Sequence, residues 1–355
     1  MLLSKMIPQC GIIQSPYDGR TLMSKQVALT GIKPTGMPHL GNYLGAIKPA
    51  LELAENYDAR YFIADYHSLN TIKDPDMLRN YTYEIAACWL ACGLDPSKTL
   101  IYRQSDVPET FELTTMIMAF TTKGLMNRAH AYKAQVDVNK EKGKPEDHNI
   151  NMGLYTYPVL MAADILLFDT NYVPVGKDQV QHIEMAVDIA QAVNRAYGKE
   201  LLTLPEPVVS ETTKVVIGLD GRKMSKSYDN TIALFLPEKK LKKLCNKIVT
   251  NSQEVEEPKD PETCNVFTLY KLFATEEEQS ALAARYRAGG MGWGDAKAEL
   301  FRVLNDRISP MRDKYDSLME DKSYIDKILT EGAEKARELA GAKIALLRKT
   351  MGFDI

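Results

Sequence analysis

The chain has 355 residues, 45% of them hydrophobic and 26% charged, with a formal net charge of −3. This length and balance suit a folded protein with one large core and a smaller unit, and they exclude a disordered or fibrous chain. There is no global basic field to attract nucleic acid, so any RNA contact must come from local patches, and five scattered cysteines without a CxxC fit a reducing compartment rather than a disulfide framework.

Residues 1–25 mix Pro, Gly and polar residues without periodicity and read as an N-terminal extension of unassigned role. Its opening apolar run is short and broken by Pro8, unlike a secretory signal. No stretch has transmembrane length, so a cytoplasmic protein without membrane contacts is expected. From Val27 the rhythm becomes strand, helix, strand. Residues 27–32 form a strand, a glycine-containing turn follows, and a helix starts at Asn42. Residues 61–64 are a second buried strand, 78–91 a helix and 99–102 a third strand. Cys88 and Cys92, one turn apart in that helix, read as core thiols rather than a metal pair. The alternation predicts an α/β fold with a parallel sheet, whose ligands sit at the carboxyl ends of the strands.

The charged residues 134–150 read as a solvated loop, with a lysine-bearing lid as the sharper alternative. Residues 155–168 form an apolar helix with one acid, Asp164, in its middle. A strand over 171–175 and a long helix over 178–197 come next, and 215–219 lead into Lys223-Met224-Ser225-Lys226-Ser227. After Pro237 strand-like runs disappear. The last helix, 325–347, places Ile325, Leu329, Ala336, Leu339, Ile344 and Leu347 near one face. The divisions expected are therefore 1–25, a catalytic domain over 26–235 and a helical domain over 236–355. The glycine-rich run at 289–294 lacks a preceding strand and reads as a helix–helix turn, not a nucleotide loop. Lys239, Lys240, Lys242 and Lys243 read as a solvated helix face, with a phosphate-tracking face as the alternative.

Two separated segments suit a triphosphate. Pro34, Thr35, Gly36, His39, Gly41 and Asn42 stand where a strand turns into a helix; Lys223 and Lys226 supply mobile ammonium groups. Asp164 lies between Ala162-Ala163 and Ile165-Leu166, where a carboxylate is costly to bury without a partner. Met161, one turn earlier, makes with it a flat apolar slot holding one acceptor. That slot suits an aromatic ring bearing an N–H or O–H, although an arginine or a helix start elsewhere would equally satisfy the acid. Val173, Val175, Gly176, Lys177, Asp178 and Gln179 form a second cluster at a strand end, with Asp178 as a candidate helix cap. His67 follows the second strand and points to the same sheet edge. There is no GxSxG, HExxH or Walker A motif, so the inventory fits reaction at a phosphate by positioning and charge neutralisation.

With these motifs in order, the chain resembles the bacterial tryptophanyl-tRNA synthetases, class I aminoacyl-tRNA synthetases, from about Ala28 to Gly352. The residues from Thr30 to Gly36 and from His39 to Asn42 are similar to the family's first ATP motif. Lys223 to Ser227 are similar to its second, and Gly153 to Leu167 to its most characteristic stretch. The resemblance implies a Rossmann-type catalytic domain, a helical tRNA anticodon-binding domain and a homodimer. Its substrates are ATP with Mg²⁺, L-tryptophan and tRNA(Trp). Asp164 would accept the indole N–H, with Met161, Val173, Val175, His67 and Leu29 around the ring. Tyr157 and Gln179 would hold the amino acid head group. Lys33, Pro34, Thr35, His39, Gly41, Asn42 and Gly176 to Asp178 would line the ATP site. Val216 and the backbone at Met224 would meet adenine, and Lys223, Ser225 and Lys226, the catalytic group, the phosphates, with Ser227 also in the ATP site.

Three departures stand out. Lys33 replaces a common Gln, His39-Leu40-Gly41-Asn42 replaces a common Thr-Ile-Gly-Asn, and the mobile-loop lysine has only Lys133 or Gln135 near its place. Cys245 and Cys264 alone do not supply four ligands, so no iron–sulfur cluster is expected. The rivals are a tyrosyl-tRNA synthetase, a small-molecule nucleotidylyltransferase and a non-catalytic RNA-binding paralogue.

Overall fold

The structure, a computed structural model, describes residues 25–209 and 216–354. All but the last residue of the N-terminal extension, together with Cys10 and Val215, lies outside the described residues.

Five strands form a parallel sheet in the order β3-β2-β1-β4-β5. They are β1 (Val27–Ile32), β2 (Asp58–Ile63), β3 (Leu100–Arg103), β4 (Tyr172–Pro174) and β5 (Glu206–Val208). β1 runs in register with β2 from Val27↔Asp58 to Ile32↔Ile63 and meets β4 at Ala28↔Tyr172. Helices cover both faces, so the inner strands bury residues on both: Ala28, Leu29, Tyr61 and Ile63 are at most 1% exposed. The chain steps outward from β1 to β3 and then returns to β4, so the order reverses at β1/β4. In open α/β sheets the crevice at such a reversal is the ligand site.

The strands over 27–32, 61–64, 99–102 and 171–175 agree with these elements to within a few residues. β5 was not anticipated: Glu206 and Pro207 are exposed, and an edge strand held mainly by backbone pairing to β4 carries little hydrophobic pattern. The loop expected over 134–150 is helical in its first half. A helix spans His130–Glu141, with Val136 and Asn139 buried and the charges outside. Its buried Asn139 then donates to the carbonyls of Glu146 and His148 at 2.7 and 2.8 Å, which ties down the loop that follows. One apolar position and one buried amide suffice for a surface helix, and composition alone did not show them.

The Pro75–Ala91 helix starts on Asp74, whose Oδ1 accepts from the backbone N–H groups of Asp76 and Met77 at 2.9 Å. Its Trp89 ring lies 5.1 Å from that of Tyr61 of β2, tilted by 31°. Cys88 and Cys92 are free, their sulfurs 4.0 Å apart. The 28-residue Trp293–Glu320 helix packs on the Pro75–Ala91 helix, so Trp89 and Leu90 share one core with Leu300, Leu304 and Ile308. Gly289 (φ +75°) and Gly290 (φ +76°) make the turn before it, as the absence of a preceding strand suggested.

The Ser323–Met351 helix returns to lie along β3. It buries Ile325, Leu329, Ala336, Ala340, Ile344 and Leu347, but Leu339 is 42% exposed, a correction to the expected face. Ala340 takes the inward position instead, one residue and about 100° further round. Gly332 is the point of closest approach: a Cβ there would lie 1.8 Å from the Ile101 carbonyl oxygen of β3. Backbone cannot yield as a side-chain tip can. Gly332→Ala should therefore destabilise the protein by about 3 kcal/mol, the overpacking cost at a tight contact, measured as a lower urea midpoint at unchanged slope.

Candidate active site

The first segment begins where β1 ends. Gly36, at φ +88°, turns the chain beside Tyr81. His39 then caps the Leu40–Asn42 turn. Its Nδ1 accepts from the Asn42 N–H at 3.2 Å, and Asn42 Oδ1 accepts from the His39 N–H at 3.1 Å. The turn continues through the π-helical Tyr43–Ile47 into the Lys48–Ala54 helix. Gly41 leaves room for the His39 ring, which a Cβ would approach to 2.9 Å.

Burial, and then the charge on Lys226, depress the His39 imidazolium to about 4. His39 is thus neutral at physiological pH, with Nδ1 accepting and Nε2–H left to donate. Because the folded value lies below the unfolded one, the unfolded chain binds the extra proton first. Stability is therefore lost as pH falls from about 6.5 towards 4. His39→Asn keeps a capping side chain but removes the titration, and should flatten this part of the acid limb in urea midpoints measured against pH.

The lysine segment is a hairpin seated on Asn230. Met224 N–H donates to the Val216 carbonyl at 2.8 Å, and Ile217 bridges Lys223. Asn230 is 2% exposed. It accepts from Ser225 N–H at 2.8 Å and donates to Asp220 and the Lys223 carbonyl at 2.7 and 3.1 Å. Ser225 Oγ accepts from Ser227 N–H at 3.3 Å, opening the Lys226–Tyr228 turn.

The two segments meet. Lys226 Nζ donates to the Thr35 carbonyl at 2.8 Å across 191 residues of sequence. Leu40 N–H reaches the Ile232 carbonyl at 2.9 Å, and Leu234 N–H the Pro38 carbonyl at 2.8 Å. Partial burial lowers the Lys226 ammonium below its ordinary value, opposed by Glu84. Lys223 is exposed.

Asp164 lies on the Met152–Leu166 helix, which Asn151 caps through the Leu154 N–H at 2.8 Å. It is 2% exposed, and no arginine pairs with it among the described residues. His67 Nε2 lies 3.0 Å from Oδ2, and Gln104 Nε2 donates to both oxygens at 2.8 Å. Burial pushes the carboxyl up; His67 and Gln104 hold it down. Leu29 and Val173 are buried, with Met161 and Val175 half-buried against the same core. The His67 ring stands edge-on to Tyr157 at 6.2 Å, and the Tyr157 hydroxyl lies 2.5 Å from His182 Nε2. Lys33 Nζ sits 5.6 Å from the Tyr157 ring centre, placing the tyrosine beside the segment that ends β1.

Gly176 and Lys177 are exposed just beyond β4. The Lys177–Gln179 turn leads into the Val180–Tyr197 helix, whose cap position is Gln179 rather than Asp178; the Asp178 side chain lies outside the described residues. In the mobile-loop region Lys133 is exposed on the His130–Glu141 helix, and Gln135 donates to Asn139 at 3.2 Å.

Sequence reasoning missed Gln104, His182 and Asn230. Gln104 was findable: it follows β3 as His67 follows β2, and residues just past parallel strands converge on one edge. Asn230 carries no local signal, since its role exists only once the hairpin closes.

Residues 23–309 match the profile of the tRNA synthetases class I (W and Y), and the chain belongs to this family. Within it the chain is a member of the tryptophan–tRNA ligase branch. The ligase of Neisseria meningitidis is 49% identical over 334 residues, covering 93% of this chain and 99% of that one. That of Xanthomonas axonopodis is 50% identical over 336 residues, covering 94% and 77%. Among solved structures, the Campylobacter jejuni tryptophanyl-tRNA synthetase complexed with ADP and tryptophan superposes with TM-score 0.85 at 46% identity, over 92% of this chain and 100% of that one. The Mycoplasma pneumoniae enzyme gives 0.76 at 29%, over 92% and 98%.

Proposed function

We propose that this chain activates L-tryptophan with ATP and transfers it to tRNA(Trp). The observation that carries the reading is Asp164: a buried carboxylate on an apolar helix whose Tyr157 lies beside Lys33, at the start of the first segment. In the first step the tryptophan carboxylate attacks the α-phosphorus, forming tryptophanyl-adenylate and releasing pyrophosphate. A carboxylate needs no base. In the second, a terminal ribose hydroxyl of the tRNA attacks the activated carbonyl and AMP leaves.

Asp164 accepts the indole N–H, and Met161, Leu29, His67, Val173 and Val175 enclose the ring. Tyr157 and Gln179 hold the amino and carboxylate groups. Lys33 to Thr35, Gly41, Asn42, Gly176 to Asp178, Val216 and Met224 line the ATP site. His39 Nε2–H, Lys223, Ser225, Lys226 and Ser227 face the phosphates and neutralise developing charge. ATP arrives as its Mg²⁺ complex. Among the described residues no three Asp, Glu, His or Cys groups converge to hold a metal, and Mg²⁺ brought with the nucleotide would offset phosphate charge there.

Residues 26–235 form the catalytic unit and the helices of 236–355 the tRNA-binding unit, in a cytoplasmic homodimer. Supporting this are the run of helices after Glu238, the absence of a membrane-length apolar helix among the described residues, and the family's kinship. The test is amino-acid-dependent exchange of pyrophosphate into ATP. Tryptophan should support it, and phenylalanine, which has no ring donor, should fall short by about four orders of magnitude in kcat/KM; a preference for tyrosine would end the reading.

A further inference from the structure

Gln104 has no solvent exposure, and its position is rigid on both sides. It follows β3, which pairs with β2 up to Ile63↔Arg103 and is pressed from the other side by the Ser323–Met351 helix at Gly332. Its amide nitrogen donates to both oxygens of Asp164 at 2.8 Å, while its own Oε1 is buried without a hydrogen-bond partner among the described residues. A glutamine placed for its own satisfaction would not leave that oxygen unpaired. The amide orientation is dictated by the carboxylate, since only the NH₂ end can face an acceptor-only group.

We propose that Gln104 is the positioning residue for recognition of the indole N–H: it fixes the Asp164 carboxylate so that Oδ1 is the oxygen offered to the ring nitrogen. Oδ2 is shared by His67 and Gln104, whereas Oδ1 has Gln104 alone as a partner among the described residues and retains an acceptor site. Without Gln104 the carboxylate is held by His67 at Oδ2 alone, and Oδ1 loses its fixed direction. A buried carboxyl that then took up a proton would present O–H to N–H, donor against donor. Gln104 thus keeps the slot acceptor-only. This inference rests on Asp164 being the indole acceptor.

The test compares kcat/KM in pyrophosphate exchange for tryptophan and for its benzothiophene isostere, in which sulfur replaces the ring N–H. Gln104→Leu should lower the tryptophan-to-isostere ratio about tenfold or more, the value of a hydrogen bond to a charged group, while changing the isostere's own kcat/KM by less than about threefold. Gln104→Asn, which withdraws the donor but keeps a polar amide, serves if the leucine variant does not fold, and should shift the ratio the same way. An unchanged ratio, or equal losses for both substrates, overturns the inference. Asp164→Ala separates the two claims. If it collapses the ratio while the Gln104 variants do not, the positioning role alone fails; if it too leaves the ratio unchanged, the assignment of Asp164 falls and takes the inference with it.

Discussion

Asp164→Ala should lower kcat/KM for tryptophan in pyrophosphate exchange by about a thousandfold or more while leaving the Kd for ATP within about threefold. Two losses combine. The indole N–H enters an apolar slot with no acceptor, and a site built around one buried hydrogen bond discriminates by about four orders of magnitude against a ligand that lacks its half. In addition, His67 and Gln104 lose their common partner and become unpaired donors inside the protein. Asp164→Asn retains the shape but aims an NH₂ group at Gln104 or His67, so it should be impaired nearly as far. ATP binding is spared because the nucleotide segments are held by other contacts, chiefly Lys226 to Thr35 and the Asn230 seat. Equal tryptophan kcat/KM in mutant and parent would remove Asp164 from the site.

Lys226→Ala should reduce the rate of adenylate formation by about 10²- to 10³-fold, the usual cost of removing one group aimed at developing charge. Its effect on tryptophan binding should be small. Lys226 already reaches across to the Thr35 carbonyl, which holds its ammonium at the first segment where the phosphates are expected. Arginine should rescue poorly, because a planar fork cannot replace a compact ammonium in that approach. Single-turnover formation of the adenylate, followed by quenched flow, reads the rate directly. A rate within about threefold of the parent would show that the lysine fastens the loop without touching the chemistry.

The parts of the fold that were legible in the sequence are those whose pattern is local. Inner parallel strands show as apolar runs, and the helix bearing Asp164 shows because one acid interrupts a hydrophobic stretch. β5 and the His130–Glu141 helix escaped for the opposite reason. One is held by backbone pairing, and the other hides a single apolar residue and a buried asparagine among charges. Leu339 misled because a leucine on a mostly helical face was counted inward, while Ala340 holds that place and Leu339 faces water.

The candidate site divides in the same way. Its two segments proposed to bind phosphate and its acid stand in recognisable surroundings, yet what joins them is tertiary. The bond from Lys226 to Thr35 spans 191 residues, and Asp164 meets His67 and Gln104 across 97 and 60. Those partners come from the ends of β2 and β3, so they become visible only when the strand order is known. Lys33 acquires a neighbour in Tyr157, which no spacing argument supplies.

The most direct measurement is a crystal structure of the protein soaked with tryptophan and a non-hydrolysable ATP analogue. The indole nitrogen should lie about 2.9 Å from Asp164 Oδ1, with Gln104 and His67 still in place and the triphosphate between His39 and Lys226. An indole bound elsewhere, with Asp164 closed off by its two present partners, would contradict this placement.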